Sequence, residues 1–307
     1  MYLVILMEML FAGTFTIGKI VLQYLNPIFF IGLRMSIAGT ILLSWLYFFK
    51  REKFFIKKEH MLLFLQITIF HIFVAYVFEF WALKYLSSFK TAFLYNLSPF
   101  IAAIFSYLFL SEKMTAKKWL GLAIGFSGII WVMVNGQSPQ EASLNAFFFL
   151  SWPEISLLTA IASSVYGWVV FKKLNQTGGY SSLMINGFGM LSAGILAFIA
   201  SFFIEGSSCC NSQNFFAMPV SDIFVALGYT LLLIVIANII GYNLYGYLLR
   251  KYSVTFLSFS CTLTPFFAAF FGSIFLGEVP SVTFFLSSVL VVIGLYIFYM
   301  QELKIKV

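Results

Sequence analysis

LSPFIAAIFSYLFLSE at residues 97–112 and LTPFFAAFFGSIFLGE at residues 263–278 are two copies of one pattern. Nine of the sixteen positions are identical without a gap: Leu97/Leu263, Pro99/Pro265, Phe100/Phe266, Ala102/Ala268, Ala103/Ala269, Phe105/Phe271, Phe109/Phe275, Leu110/Leu276 and Glu112/Glu278. The same offset of 166 pairs Gly128 with Gly294. Each copy is an apolar run with a proline near its start and a glutamate at its end. That pattern reads as a kinked helix, because proline removes one backbone donor and clashes with the preceding turn.

The sequence around these copies is as apolar as they are. Of 307 residues, 62% are hydrophobic and 9% charged, whereas a soluble domain carries about 25% charged residues. So few charges cannot cover a water-facing surface, and no polar segment is long enough to fold alone. The net charge of +7 lies in short clusters between apolar runs, which is the habit of cytoplasmic loops and not of a nucleic-acid face. Cys209 and Cys210 are adjacent, Cys261 sits in an apolar run, and there are two histidines. No CxxC pair or metal-ligand spacing exists, so neither a metal nor a cofactor is expected. The N-terminus lacks a basic n-region and a cleavage site, and is read as a first membrane helix.

A membrane span needs about 20 mostly apolar residues. Ten stretches qualify: 2–23, 27–49, 61–83, 91–110, 119–135, 153–171, 183–204, 222–249, 255–276 and 282–300. With the N-terminus inside, fourteen Lys and Arg fall on the cytoplasmic side and two, Lys84 and Lys90, on the outer side; Lys19 and Arg34 lie within spans. This bias predicts cytoplasmic termini. The expected fold is an all-α integral membrane protein of ten transmembrane helices, arranged as residues 1–135, an outer linker 136–152, and residues 153–307. The repeat copies fall in spans 4 and 9. Five spans per half is odd, so the halves insert with opposite orientation, and inverted repeats of this kind are built around a midplane solute site.

Leu97-Ser98-Pro99 with Glu112, Gly121 and Gly128, and again Leu263-Thr264-Pro265 with Leu276-Gly277-Glu278 and Gly294, resemble the EamA-type ten-helix family of the drug/metabolite transporter superfamily. Gly18-Lys19, Pro27 and Arg34 are similar to that family's first two helices, while Phe11-Ala12 stand where many members carry Trp-Gly. The resemblance implies a bacterial inner-membrane carrier of a small organic metabolite. Amino acids, aromatic and cationic compounds, nucleotide-linked metabolites and S-adenosylmethionine are among the solutes of such proteins.

Ionisable residues within spans are costly, roughly 2.5–3.5 kcal/mol at the centre, and persist where they face a cavity or a partner. Glu8, Lys19, Arg34, His71 and Glu79 qualify. Glu8 and Lys19 are eleven residues apart, so they share one helix face about 16 Å apart, where Glu8 faces a cavity or snorkels at the cytoplasmic end and Lys19 snorkels or binds. Arg34 can neutralise Glu79 or grip a carboxylate in a bidentate fork. His71 and Glu79 lie about 80° apart around one helix; Tyr76 stands one turn before Glu79 and can hydrogen-bond it. Glu79 is the candidate for a cationic substrate group or a coupling proton.

Tyr76, Trp81, Tyr95, Tyr166, Trp168, Tyr242 and Tyr245 combine an aromatic face with a polar tip suited to a cavity. Asn96, Ser98, Thr262 and Thr264 beside the kink prolines Pro99 and Pro265, and Asn238 in span 8, can satisfy freed backbone or meet a solute. Two carboxylates within an aromatic cavity suit a cation bearing a flat ring. Glu112 and Glu278 are read as acceptors for the backbone N–H groups at the start of the next helix. Gly121 and Gly125 form a GxxxG pattern that packs within the protomer or in a homodimer.

The expected partners are thus a small-molecule substrate, membrane lipid and a coupling proton, with no nucleic acid. Spans 1, 3 and 4, with repeat mates 6, 8 and 9, are expected to line the site. The competing class is an intramembrane enzyme acting on lipid or peptide, which would want an HExxH or GxSxG constellation that the chain lacks. No ring-forming filter points to a channel and no P-loop to an ATP-driven pump.

Overall fold

The structure, a computed structural model, describes residues 2–110, 115–135, 144–147, 150–176, 178–206, 219–252 and 254–305. Glu112 lies outside the described residues, as do Cys209 and Cys210. The chain is almost entirely helical: α1 (Tyr2–Val21), α2 (Pro27–Phe49), α3 (Lys58–Tyr85), α4 (Ser88–Leu94), α5 (Ser98–Leu110), α6 (Ala116–Asn135), α7 (Trp152–Gln176), α8 (Ser182–Ile204), α9 (Val220–Leu248), α10 (Val254–Ser260), α11 (Thr264–Phe275) and α12 (Val282–Ile305). Among the described residues, eight helices are long and apolar enough to cross a membrane, and Val282–Phe298 is a shorter apolar helix. Between α6 and α7, within the expected linker, Asn145–Phe147 (β1) and Leu150–Ser151 (β2) pair as a short antiparallel ribbon that a purely helical reading omits.

Large apolar side chains point outward along these helices, including Leu62, Phe202, Phe270, Phe285 and Val289. A water-soluble protein would hide such side chains, and hydrocarbon gives no reason to. What holds the helices together is close fit. Pro27–Phe49 runs along Ser182–Ile204, and Ala116–Asn135 along Val282–Ile305. The second pair meets through glycines: a Cβ on Gly294 would lie 2.5 Å from the Gly125 nitrogen, and one on Gly121 would lie 2.6 Å from the Gly294 carbonyl oxygen. The GxxxG face is therefore spent inside the protomer, where two backbones touch because no side chain separates them.

Proline shapes both repeat copies in the same way. The helix of the first copy is interrupted by a 3-10 turn at Tyr95–Leu97, just before Pro99, and that of the second by a 3-10 turn at Cys261–Leu263, just before Pro265. Tightening the turn relieves the clash that a proline ring makes with the preceding helical carbonyl. Two further irregularities are π-helical: Ile67–Val74 inside α3 and Ile234–Gly241 inside α9. Such wide turns concentrate at functional sites, since they re-aim side chains and loosen the backbone ladder.

Three glutamates tie the ends of the helices together at one end of the bundle, where α1 and α3 finish and α2 and α4 begin. Glu205 accepts the backbone N–H groups of Ile28 and Phe29, each at 2.9 Å, at the start of α2. Glu278 accepts the Ser88 backbone N–H at 3.0 Å and the Ser88 hydroxyl, and pairs with Lys19 at 3.4 Å. Lys19 also donates to the Leu86 carbonyl. Glu154 accepts the Ser151 N–H and hydroxyl at 2.8 and 3.0 Å and pairs with Lys90 at 3.0 Å. Glu278 was expected to serve the helix that follows it, α12. Instead it serves α4, 190 residues earlier, because the fold brings that helix start beside it and the positive end of a helix favours an anion.

Candidate functional site

Within the bundle is a small cavity of about 90 Å3, tighter than the roughly 300–1,000 Å3 usual for small-molecule sites. Its walls come from several helices. Glu8, Phe11, Thr14 and Phe15 come from α1; Ala75, Tyr76 and Glu79 from α3; Tyr95 from the turn after α4 and Ser98 from α5. The other wall is built by Ile161, Ser164, Val165 and Trp168 of α7, Tyr242 and Tyr245 of α9, and Ser258, Cys261 and Thr264 around the break between α10 and α11.

Each carboxylate is held by hydroxyls. Glu8 is fully buried and accepts from Ser260 Oγ and Thr264 Oγ1, both at 2.6 Å. These donors lie on either side of the second 3-10 turn, so Glu8 clips α1 to the break in the repeat copy. Glu79 accepts from the Tyr95 hydroxyl. Tyr76, the donor suggested by sequence spacing, does not fill that role: its ring packs against Tyr242 with centroids 5.9 Å apart. Helical spacing placed Tyr76 on the right face, but Tyr95 reaches Glu79 from another helix.

Between the carboxylates stands an aromatic wall. Trp168 and Tyr245 are stacked, with ring centroids 3.8 Å apart and planes 23° apart. Tyr242 lies 5.2 Å from Trp168, and Phe11 meets Tyr242 edge-on at 6.0 Å. Aromatic faces in such a cluster carry negative potential, so a flat ring stacks on them and a cation is drawn to them. Together with two buried carboxylates, they make a site whose field favours a cationic, ring-bearing solute.

The remaining candidates take other positions. His71 is fully buried and packs on Trp168 at 4.3 Å, outside the lining of the cavity. Arg34 is fully buried; its Nε donates to Asn238 Oδ1 at 2.7 Å, and its Cζ lies 5.1 Å from the Tyr76 ring centroid and 5.4 Å from that of Phe80. Arg34 attracts Glu79 across the site but binds Asn238 and not that carboxylate. Lys19 belongs to the glutamate clasp described above. Asn96 is buried in the first 3-10 turn, Trp81 packs edge-on against Tyr85 and Tyr166 against Phe70.

Sequence reasoning passed over Thr14, Ser164, Ser258 and Cys261. A signal existed for the last two: Ser258, Cys261 and Thr264 recur every third residue within an apolar run, the period of a 3-10 turn. Among the described residues no cluster of His, Cys, Asp and Glu is placed to hold a metal ion.

Membrane-length helices around a largely apolar, aromatic-walled cavity that holds two carboxylates define a multi-pass membrane protein. The EamA-like transporter family matches residues 1–134 and again residues 151–300. The chain belongs to that family, whose members are of the drug/metabolite transporter type. A protein of Chlamydia muridarum named S-adenosylmethionine/S-adenosylhomocysteine transporter is 34% identical over 278 residues, covering 90% of this chain and 84% of its own length. A protein of the same name from Chlamydia trachomatis serovar L2 is 32% identical, covering 90% and 82%. A solved crystal structure is similar with a TM-score of 0.64 over 99% of this chain and 98% of its own, at 17% identity. At that identity the likeness concerns the fold alone.

Proposed function

We propose that the protein is a secondary transporter that carries S-adenosylmethionine and S-adenosylhomocysteine across a bacterial inner membrane by alternating access, with both termini cytoplasmic. The observation that carries this reading is the pairing of two buried carboxylates with the stacked Trp168–Tyr245 wall in one cavity. S-adenosylmethionine bears a flat adenine and two cationic groups, a sulfonium and an ammonium. Adenine stacks on the Trp168–Tyr245 wall, and Glu8 and Glu79 balance the cations. The named relatives support this choice among the solutes that such a site suits.

The same reading takes the chain as ten spans in two inverted halves, residues 1–135 and 153–307. Three features support it. The family matches twice in one chain. The 3-10 breaks Tyr95–Leu97 and Cys261–Leu263 stand at the repeat offset, as do the starts of α6 and α12. The π-helical turns fall at nearly the same offset. Breaks at matched positions give each half a place to flex, and the cavity lies where the halves meet.

Counterflow in proteoliposomes preloaded with S-adenosylmethionine tests the function. Saturable exchange that Glu79→Gln abolishes is the expected result, and a dependence on an imposed pH gradient adds the coupling proton. Folded protein that exchanges an amino acid or another organic cation, and not S-adenosylmethionine, rules the substrate out.

A further inference from the structure

The cavity accounts for the cationic groups and the ring of the proposed substrate but not for its carboxylate. Among the described residues the cavity lining contains no Lys or Arg. One cation does stand immediately behind the lining. Arg34 Cζ lies 5.1 Å from the ring centroid of Tyr76, a wall residue, and near enough to Glu79 and Tyr242, also wall residues, to exert Coulombic force on both.

The hydrogen bonding of Arg34 is conspicuously incomplete. Its Nε is anchored on Asn238 Oδ1 at 2.7 Å, while the terminal nitrogens Nη1 and Nη2 are buried with no well-formed hydrogen bond, the Tyr76 hydroxyl interacting with the guanidinium. A fully buried guanidinium is retained at a considerable desolvation cost unless its donors are used. Here the anchored Nε fixes the plane and leaves the fork of two N–H groups, which is the edge that grips a carboxylate bidentately. Asn238 sits in the π-helical turn Ile234–Gly241, and Tyr76 follows the π-helical turn Ile67–Val74 by two residues. Asn238 is therefore attached to backbone that departs from the regular helical ladder, and Tyr76 stands just beyond such a stretch.

We infer that Arg34 is the specificity-determining residue for the substrate's α-carboxylate, which reaches the Nη fork when the Tyr76 side chain swings aside. The inference rests on the transport of S-adenosylmethionine proposed above. The site then reads an amino acid head at both ends, ammonium by carboxylate and carboxylate by guanidinium, and rejects nucleosides that lack it.

The test compares S-adenosylmethionine with its decarboxylated analogue and its carboxamide as competitors of radiolabelled counterflow. Wild-type protein is expected to prefer the carboxylate by at least roughly tenfold, because analogues leave the buried fork unpaired. Arg34→Gln is expected to raise the KM for S-adenosylmethionine by a similar factor while leaving the weak transport of the decarboxylated analogue within about twofold, with Arg34→Lys intermediate because it keeps charge but not the fork. Equal use of all three compounds by the wild type overturns the inference, as does an equal loss of all three in a folded Arg34→Gln protein. Should the variants not fold, the wild-type comparison decides alone. Absence of any S-adenosylmethionine exchange overturns the proposed substrate instead; the carboxylate and carboxamide forms of the solute actually carried then test Arg34, and a carried solute without a carboxylate overturns it.

Discussion

The Lys90 ammonium lies 3.0 Å from a carboxylate oxygen of Glu154, and the two side chains keep 2% and 0% of their surface exposed. Lys90 lies in the first turn of α4, the helix before the first repeat copy, while Glu154 is in the first turn of α7, where it also accepts two hydrogen bonds from Ser151. The pair thus joins the two family-matched segments. Glu205 and Glu278 make the same kind of join, each reaching from the second segment to a helix start in the first. Breaking a buried pair from one side leaves a charge with nothing to balance it, at a cost of about 3–5 kcal/mol.

Glu154→Gln is accordingly expected to lower the thermal unfolding temperature of the protein in detergent by several degrees. The double variant Lys90→Met/Glu154→Leu is expected to recover most of that loss, since the unbalanced charge is gone. Additive losses in the double variant would show that the two side chains act separately.

Gly294 faces the Gly125 backbone so closely that a Cβ would lie 2.5 Å from its nitrogen. Gly294→Leu must push α12 away from α6, and overpacking of a tight interface costs about 1–3 kcal/mol or more. A lower unfolding temperature and reduced yield of monodisperse protein are expected, whereas an unchanged melting curve would mean that the helices can separate freely.

Trp168 supplies one face of the aromatic stack at 3.8 Å from Tyr245. Loss of a stacking partner for a base is worth about 1–3 kcal/mol. Trp168→Ala should therefore raise the KM for S-adenosylmethionine by roughly 10–100-fold, with less effect on a solute that has no ring. A KM shift common to ringed and ringless solutes would assign Trp168 to packing alone.

Cys261 is a free, partly exposed thiol in the cavity wall. In a Cys209→Ser/Cys210→Ser background, a small charged methanethiosulfonate reagent is expected to label it and to stop exchange. Saturating substrate should slow the labelling several-fold. Labelling at the same rate with and without substrate would place the solute elsewhere.

Much of this architecture is legible in the linear chain. Apolar runs of membrane length locate the spans, because hydrocarbon demands a local property, about twenty residues without charge. The prolines of the two repeat copies mark both broken helices, since the missing donor acts on the turn in which it sits. The clasp partners of Glu278 escaped the same reading. Nothing near Glu278 in sequence points to Ser88 or Lys19, and the natural guess for a glutamate at a helix end is the helix that follows.

What the sequence by itself determined is that the chain lives in lipid, repeats itself and keeps a few ionisable residues that lipid would otherwise exclude. Only the tertiary structure decided which of those residues share a space. Glu8 and Glu79 line the cavity, Lys19 clasps a distant loop, and His71 is packed among rings. The physical reason is that burial in hydrocarbon tells a charge to find a partner without saying which. Glu8 finds Ser260 and Thr264 more than 250 residues away, and Arg34 finds Asn238 across 204. Those choices depend on how helices cross, and helices that are apolar on every side carry no periodic signal of which face turns inward.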